Sequence, residues 1–322
     1  MTLTELKYII AVARHKHFGH AAEACYVAQP TLSVAIKKLE DELGVIIFER
    51  GGIEVSTTLL GAQIVAQAER VLEQTALIKE IAKQNKDPLN GAFRLGIIYT
   101  IAPYLLPNLV KNMIQSVPQM PLILQENFTV KLIDLLRQGE LDAAIMALPL
   151  PDQNMMVQAL YDESFVVAVP PDHAWADRAS IAASELKSET MLLLGNGHCF
   201  RDQVLEICPE MARFSTASDG IARTFEGSSL ETIRHMVASG IGITVLPSTS
   251  INDAIGNPGM LKYLPFTSTA NGAGTERAPQ RRVVIAWRKS FTRIAAIDAI
   301  RNAIRDCPLN GIEFLDEASF SQ

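Results

Sequence analysis

A change of hydrophobic pattern near residue 90 constrains the fold of this chain more than any other feature. Up to Asn85 the apolar residues recur at helical spacing, whereas from Phe93 short apolar runs alternate with helical segments. The helix breakers Pro88 and Gly91 lie between the two patterns. Strand–helix alternation is typical of α/β domains with mostly parallel sheets. About 230 residues follow the break, which is long for one such sheet, so we predict two α/β lobes with a ligand cleft between them.

Composition and charge exclude several classes of protein. The chain has 322 residues and a formal net charge of −6, so any DNA-binding surface must come from a local pattern rather than from bulk basicity. Four cysteines are too few for a disulfide scaffold and fit a reducing compartment. The N-terminal sequence predicts neither a signal peptide nor a membrane span. We therefore predict a cytoplasmic protein without a membrane partner, and we expect no metal or other cofactor because no metal-ligand spacing is present.

The segment FGHAAEACYVAQPTLSVAIKKLEDELG predicts two helices joined by a tight connection. Small residues suit the first helix to close packing: Ala21, Ala22 and Ala24. Apolar residues of the second helix recur at helical spacing and should face the core: Leu32, Ile36, Leu39 and Leu43. Its opposite face carries Thr31, Ser33, Val34, Lys37 and Lys38, which could contact DNA or could simply be solvated. The first 58 residues carry six Lys/Arg against seven Asp/Glu, so contacts to DNA would require the basic residues to lie on one face.

This stretch resembles the winged helix-turn-helix of LysR-type transcription regulators. The matching residues are Ala21-Ala22-Glu23, Gln29-Pro30, Ser33, Leu39-Glu40, Leu43-Gly44 and Phe48-Glu49-Arg50. The resemblance implies that the helix from Pro30 enters the major groove of double-stranded DNA and that residues 48–56 form the wing. It also implies a set of DNA-contacting residues: Gln29, Pro30, Thr31, Ser33, Lys37, Lys38 and Arg50.

A long periodic segment, residues 59–85, resembles the linker helix of the same family. About 27 helical residues would span about 40 Å. Its apolar stripe is interrupted by Gln67 and Gln74 and consists of Leu60, Ile64, Val71, Ile78 and Ile81. We predict that the stripe pairs with a second chain, although packing against its own domain is the alternative.

The resemblance and the pattern together predict three parts. Residues 1–58 form an all-α winged helix-turn-helix domain, and residues 59–87 form a linker and dimerisation helix. Residues 91–306 form a two-lobed α/β regulatory domain like the periplasmic binding proteins. Lobe I takes in about 91–162 and 268–306, and lobe II about 163–267.

Two cysteines lie nine positions apart in GNGHCFRDQVLEIC, at the ends of one predicted helix. Such a helix would separate the α-carbons of Cys199 and Cys208 by about 13.5 Å along its axis, whereas a disulfide needs them within about 7 Å. A bond would therefore require the helix to unwind or a flanking loop to refold. The helix dipole favours a thiolate at Cys199, with His198 and Arg201 adding positive charge and Asp202 partly opposing it. One activated thiol and one resolving thiol are typical of peroxide sensing, but two ordinary buried cysteines are the alternative, as we expect for Cys25 and Cys307.

GHCFRDQ with Cys208 downstream resembles the OxyR-type peroxide sensors, a branch of the LysR-type family, as do YLLPNL, GSSLETIRHMVASGIGITVLP and RRVVIAW. The resemblance implies that Cys199 reacts with peroxide and that Cys208 is its disulfide partner. It implies a small peroxide pocket, for which we predict Thr100, Thr129, His198, Arg201, Asp202 and Arg282.

Three functions remain open from the sequence. The first is a transcription regulator that senses hydrogen peroxide and activates oxidative-stress genes, and that self-associates as a dimer and tetramer and contacts RNA polymerase. The second is a LysR-type regulator that binds a small organic effector between its lobes. The third is a thiol peroxidase, against which the DNA-binding module argues, so we predict no enzyme.

Overall fold

The computed structural model divides the chain into two compact units, Met1–Asn85 and Lys86–Gln322. It describes residues 1–49, 55–81, 87–152, 154–209, 224–227, 229–251, 259–270 and 276–315. Among these residues, no helix is both long enough and apolar enough to cross a membrane.

The first unit is a helical bundle with a short hairpin. Its elements are α1 (Leu3–His15), α2 (Phe18–Ala24), α3 (Gln29–Leu43), β1 (Phe48–Glu49), β2 (Ser56–Thr57) and α4 (Leu59–Ile81). A capping box starts α1, because the Thr2 hydroxyl accepts from the Glu5 amide while the Glu5 carboxylate accepts from the Thr2 amide. Pro30 lies in the first turn of α3, and Gly44, in the left-handed region at φ 67°, ends the helix. The antiparallel pair β1–β2 forms the base of the predicted wing.

Most of the predicted core residues of this unit are buried. Ala21 and Ala22 in α2 and the three α3 residues Leu32, Ile36 and Leu39 are buried. The prediction was wrong for Ala24, which is exposed, and for Leu43, which is 39% exposed. Each is the last residue of its helix, where the chain turns away from the helix packing.

The apolar stripe predicted for α4 divides between two sides of the helix. Ile64 and Val71 pack against the core of the first unit. This contact agrees with the alternative prediction, in which the helix packs against its own domain. Leu60 and Ile78 instead remain 54% and 67% exposed. The side chain of Ile81 lies outside the described residues. The helix therefore supports its own domain on one side and leaves apolar side chains uncovered on another.

The second unit alternates strands and helices as predicted. Its strands are β3 (Phe93–Ile98), β4 (Leu122–Asn127), β5 (Ala143–Ala147), β6 (Met155–Val169), β7 (Met191–Leu194), β8 (Thr224–Gly227), β9 (Thr244–Pro247), β10 (Lys262–Pro265), β11 (Thr269–Ala270), β12 (Glu276–Arg277), β13 (Gln280–Arg288) and β14 (Ile312–Phe314). Its helices are α5 (Ala102–Ser116), α6 (Thr129–Arg137), α7 (Cys199–Ile207), α8 (Leu230–Ala238) and α9 (Ile294–Arg305), with 3-10 helices at Ala183–Ser188 and Ser248–Ser250.

The strands are less uniformly parallel than the sequence predicted. β3 pairs in parallel with β4 and β5, and β7 pairs in parallel with β8. The main path runs β10–β6–β13–β5–β3–β4, and every pairing of β6 and β13 along it is antiparallel. The prediction of mostly parallel sheets was wrong, because β6 and β13 are antiparallel to every strand that pairs with them.

One long strand, β6, passes from one hydrophobic core to the other. Its first part pairs with β13 and contributes Leu160 and Tyr161 to a core that also contains β3, β5, α5 and α9. Its second part pairs with β9 and β10 and contributes Phe165 and Val167 to a core that also contains β7, α7 and α8. The change of core within β6 brings the two lobes together along a single backbone segment.

The tail beyond Cys307, for which the sequence predicted no role, returns to β6. Strand β14 pairs antiparallel with it, and Ile312 lies opposite Glu163. The Ser164 amide and the Ser248 hydroxyl both donate to the Gly311 carbonyl, at 3.2 and 2.9 Å. The tail therefore fastens to the point where β6 changes core.

Candidate functional site

The two predicted thiols lie at opposite ends of one helix. Cys199 is the first residue of α7, and Cys208 follows its last turn. Both thiols are free; Cys208 is buried and Cys199 partly buried. The turn that leads from β7 into α7 contains Gly197 at φ 96°, a left-handed conformation that favours glycine. Nine residues of helical rise separate the two cysteines by about 13.5 Å, so a disulfide between them would require α7 to unwind or a flanking loop to refold.

Cys199 lines a small cleft between the two cores. The lining residues come from the ends of β3 and β4 and from the turn before α7: Ile98, Tyr99, Thr100, Asn127, Phe128, Thr129, Gly197, His198 and Cys199. The empty space amounts to about 180 Å³ including its mouth. Pockets for drug-sized organic ligands are about 300–1,000 Å³. The cleft therefore fits a molecule of a few atoms better than an organic effector.

The two predicted threonines offer hydroxyl groups to this cleft. The Thr100 oxygen accepts a hydrogen bond from the Arg281 guanidinium, Nη1 to Oγ1 2.9 Å. The Thr129 oxygen is buried and has no hydrogen-bond partner within the described part of the chain. Because a buried hydroxyl without a partner is costly, such groups usually meet a ligand or a water molecule. The Thr129 hydroxyl is thus available to hydrogen-bond a small ligand in the cleft.

Aromatic rings surround His198 at the mouth of the cleft. Its ring centroid lies 4.8 Å from that of Phe128 and 5.9 Å from that of Tyr99, and these two rings lie 5.3 Å apart. Tyr99 and Phe128 were not among the predicted site residues. Each directly precedes a predicted pocket threonine, and this adjacency is the signal in the sequence that could have found them.

Neither arginine lines the cleft, but Arg281, and not the predicted Arg282, contacts the lining residue Thr100. Arg281 is fully buried and donates both to the Thr100 hydroxyl and to the Thr100 carbonyl, at 2.9 and 3.1 Å. Arg282 is 41% exposed and forms an ion pair with Asp162 at 2.8 Å. This hydrogen-bonded carboxylate raises the pKa of Arg282. Neighbouring residues of a strand face opposite sides, so an error of one position in β13 reverses the direction of the side chain.

Arg201 and Asp202 also lie away from the cleft. The buried Arg201 side chain donates to the Leu194 carbonyl at 3.1 Å, and Asp202 is exposed. At 100° per residue, Arg201 lies about 160° around α7 from Cys199, whereas Asp202 lies only about 60° from it but is not among the residues that line the cleft. Arg201 therefore anchors the helix to β7, and the structure does not bring either residue to the lining.

The remaining cysteines differ from Cys199 in their surroundings. Burial raises the pKa of the Cys25 thiol. Burial, with a contribution from Asp306, raises the pKa of Cys307 to about 11. Both thiols are therefore protonated at neutral pH, in line with the packing role expected for them.

The predicted DNA-contacting residues lie on the side of α3 opposite its buried stripe. Exposed members of this set are Gln29, Pro30, Thr31, Lys37 and Lys38, and Ser33 is half-buried. Arg50 lies outside the described residues. A helix that follows a tight turn and carries two lysines on its exposed face has the geometry of a recognition helix.

These features define a class of protein. A helix-turn-helix unit is joined through a long helix to an α/β unit that holds a small polar cleft and two free thiols. Family models match both parts: the lysR-family bacterial regulatory helix-turn-helix protein over residues 3–62, and the LysR substrate binding domain over residues 86–307.

Curated relatives match over nearly the whole chain. The hydrogen peroxide-inducible genes activator of Dickeya chrysanthemi is 36% identical over 306 residues, covering 95% of both chains. The DNA-binding transcriptional dual regulator OxyR of Escherichia coli K12 is 36% identical over 305 residues, again covering 95% of both chains.

Solved structures agree with these matches. A full-length OxyR variant of Pseudomonas aeruginosa, with aspartate in place of one cysteine, is 48% identical with a TM-score of 0.67, covering 98% of this chain and 99% of that one. A hydrogen peroxide-bound cysteine-to-serine variant of Corynebacterium glutamicum OxyR is 31% identical with a TM-score of 0.60, covering 94% of this chain and 91% of that one. The chain therefore belongs to the LysR family of bacterial regulators, in its OxyR branch.

Proposed function

We propose that this protein is a transcription regulator that senses hydrogen peroxide through Cys199 and activates oxidative-stress genes. The observation that carries the proposal is the position of the Cys199 thiol, at the start of α7 and on a small cleft with Thr100, Thr129 and His198. The relatives named above as hydrogen peroxide-inducible genes activators support the same chemistry.

The proposed reaction has two steps. The Cys199 thiolate attacks one peroxide oxygen, the O–O bond breaks, and the second oxygen leaves as hydroxide, which takes up a proton to form water. The sulfenic acid then condenses with the Cys208 thiol, which releases a second water molecule and forms the disulfide. Because the helix keeps the two thiols apart, forming the bond unwinds α7, and we propose that this change alters the regulatory domain and the arrangement of the oligomer on DNA.

The DNA-binding part of the proposal rests on α3. Gln29, Pro30, Thr31 and Ser33, at the helix N-terminus, would reach base edges or phosphates, and Lys37, Lys38 and Arg50 would neutralise phosphates. The exposed apolar side chains of α4 support self-association as a dimer, and a tetramer would place two dimers on neighbouring half-sites. We also propose a cytoplasmic location, contact with RNA polymerase and no enzymatic turnover, since each disulfide serves as one signal.

The second candidate, a regulator of organic-effector type, is disfavoured by the size of the cleft. Pockets for drug-sized organic ligands are about 300–1,000 Å³, whereas the empty space here, with its open solvent included, is about 180 Å³. If the cysteines were incidental, mild peroxide treatment would leave Cys199 and Cys208 unlinked.

The test replaces Cys199 with Ser in the full-length protein. We expect the variant to bind its promoter like the reduced wild type, but to show no peroxide-induced change in footprint and no transcriptional response. Cys25→Ser is the matched control, and it should respond normally. Mass spectrometry of the wild type should find the Cys199–Cys208 disulfide after peroxide. A normal peroxide response from the Cys199→Ser variant would disprove the proposal.

A further inference from the structure

We propose that Glu163 is a positioning residue for the peroxide reaction: through Arg281 it directs the Thr100 hydroxyl into the cleft beside Cys199. The inference rests on the proposed function and extends it to a residue that does not itself line the cleft.

Glu163 and Arg281 form a buried pair across neighbouring strands. They lie opposite each other on β6 and β13, and both side chains are fully buried. Arg281 Nε donates to Glu163 Oε2 at 2.6 Å. Its two terminal nitrogens then donate to Thr100, Nη1 to the hydroxyl oxygen and Nη2 to the carbonyl oxygen. A single guanidinium therefore connects the carboxylate to the base of the cleft.

Both ends of this connection are held by further contacts. The other oxygen of Glu163, Oε1, accepts from the Thr249 amide at 3.2 Å and from the Thr249 hydroxyl. Thr249 lies in the 3-10 helix Ser248–Ser250, which directly follows β9, a strand of the second core. The Arg281 guanidinium also lies over the Phe200 ring, 5.0 Å from its centroid. Because Phe200 follows Cys199 in α7, the arginine is fixed between the cleft and the helix that carries the reacting thiol.

The hydrogen bonds set the direction of the Thr100 proton. A hydroxyl has one proton and can otherwise rotate, whereas a guanidinium only donates. Since the Thr100 oxygen already accepts from Arg281, its own proton points away from the guanidinium, and Thr100 is one of the residues that line the cleft. During attack by the Cys199 sulfur, negative charge develops on the departing peroxide oxygen. A donor already aimed at that oxygen stabilises the charge without reorganising.

A buried ion pair could also serve stability alone, and the same two strands provide a control for this. Arg282 and Asp162 form the next pair along β13 and β6, at 2.8 Å. Asp162 makes contacts with Arg282 and Gln280 but none with Thr100. Asp162→Asn therefore removes an ion pair from the same place in the sheet without affecting the cleft.

The experiment uses the reduced full-length protein and measures two rates at Cys199. One is oxidation by hydrogen peroxide, and the other is alkylation by iodoacetamide, which needs the thiolate but has no O–O bond to break. Removing an aimed donor outright costs about 100- to 1,000-fold, and Glu163→Gln only loosens the donor, so we expect it to slow oxidation by about tenfold or more while alkylation changes by less than about threefold. Asp162→Asn should change neither rate.

A double variant identifies the route of the effect. If Glu163 acts through Thr100, then Thr100→Val should be as slow toward peroxide as the Thr100→Val, Glu163→Gln double variant. If the two substitutions slow oxidation independently, so that the double variant is slower than Thr100→Val by the full factor of Glu163→Gln, the inference is overturned. Equal slowing of oxidation and alkylation by Glu163→Gln would also overturn it.

A second variant covers the case in which Glu163→Gln does not fold. Thr249→Val retains both charges and loosens only the carboxylate, and it should also slow oxidation selectively; unchanged selectivity would overturn the inference. If Cys199 of the wild-type protein does not react with peroxide, the proposed function itself is overturned. If the wild type reacts normally but the variants slow oxidation and alkylation equally, only the role of Glu163 is overturned.

Discussion

Of the four cysteines, Cys199 and Cys307 lie in contrasting surroundings. Cys199 lines a cleft at the start of a helix, whereas Cys307 packs in the first core near Asn112, which donates to its sulfur at 3.6 Å. Sequence position alone suggested this contrast, because one cysteine follows a glycine turn and the other precedes a proline near the end of the chain. Burial provides the physical basis, since an apolar environment disfavours the thiolate.

The raised pKa of Cys307 predicts a distinct pH profile. With a pKa of about 11, its thiolate fraction at pH 8 is about one in a thousand. The rate of its alkylation by iodoacetamide should therefore keep rising tenfold per pH unit up to about pH 11. Mass spectrometry of each cysteine-containing peptide across pH measures this profile. A plateau near pH 8.5 at Cys307, in protein that circular dichroism shows to be folded, would contradict the prediction.

The sequence predicted strand β13 but identified the wrong one of its two adjacent arginines as the residue near the cleft. The sequence RRVVIAW predicts a strand, and the resemblance pointed to Arg282, yet it is Arg281 that donates to Thr100 in the lining of the cleft. Which of two adjacent arginines points inward depends on the register with β6, whose partner residues lie more than a hundred positions earlier. No pattern within β13 itself carries that information, since both positions hold the same residue type.

At the scale of elements, α4 has two roles that its sequence pattern did not separate. Ile64 and Val71 pack on the core of the DNA-binding unit, while Leu60 and Ile78 stay exposed on a 23-residue helix. A helical period predicts that the helix is amphipathic, but it does not say which apolar positions are covered within the chain. The exposed positions are those left available for a second chain.

Charged substitutions at these positions should therefore weaken self-association. The double variant Leu60→Glu, Ile78→Glu removes two apolar side chains worth about 1.5 kcal/mol or more each when buried. We expect the dimer dissociation constant to rise about a hundredfold or more, with the fold intact because both positions are exposed. Gln74→Glu, on the same helix and also exposed, should leave the constant unchanged. Sedimentation equilibrium measures it, and an unaltered constant in the double variant would exclude α4 from the interface.

At the scale of the whole molecule, the regulatory unit is held together where β6 changes core. There the strand contributes Glu163 to the cleft network and pairs with β14 of the tail. Gly311, at φ 64°, begins this return, and a Cβ at that position would overlap the Ser248 side chain. The tail is therefore packed against the lobe junction and is not a loose appendage.

This close approach predicts that Gly311→Ala destabilises the regulatory unit. Left-handed strain costs about 1–2 kcal/mol for any non-glycine residue, and the overlap with Ser248 should add about 1–3 kcal/mol. Gly240→Ala is the matched control, because Gly240 has φ 78° but nothing within 4 Å of its would-be Cβ. Urea unfolding of the reduced protein, followed in the transition of the regulatory unit, compares the two. Equal losses of stability would show that Gly311 and Ser248 are not tightly packed.

The sequence by itself determined the local features of this protein. Helical period, capping residues and breakers depend on neighbours within a few positions, and they predicted the helix pair, the α/β alternation and a helix with a cysteine at each end. The tertiary structure decided what depends on distant pairing. It selected Arg281 over Arg282, turned β6 and β13 antiparallel to their neighbours, and left the Thr129 hydroxyl without a partner among the described residues of a small cleft. Strand register and burial are set by residues a hundred or more positions apart, so the chemistry of the site follows from long-range packing around thiols that local sequence had already placed.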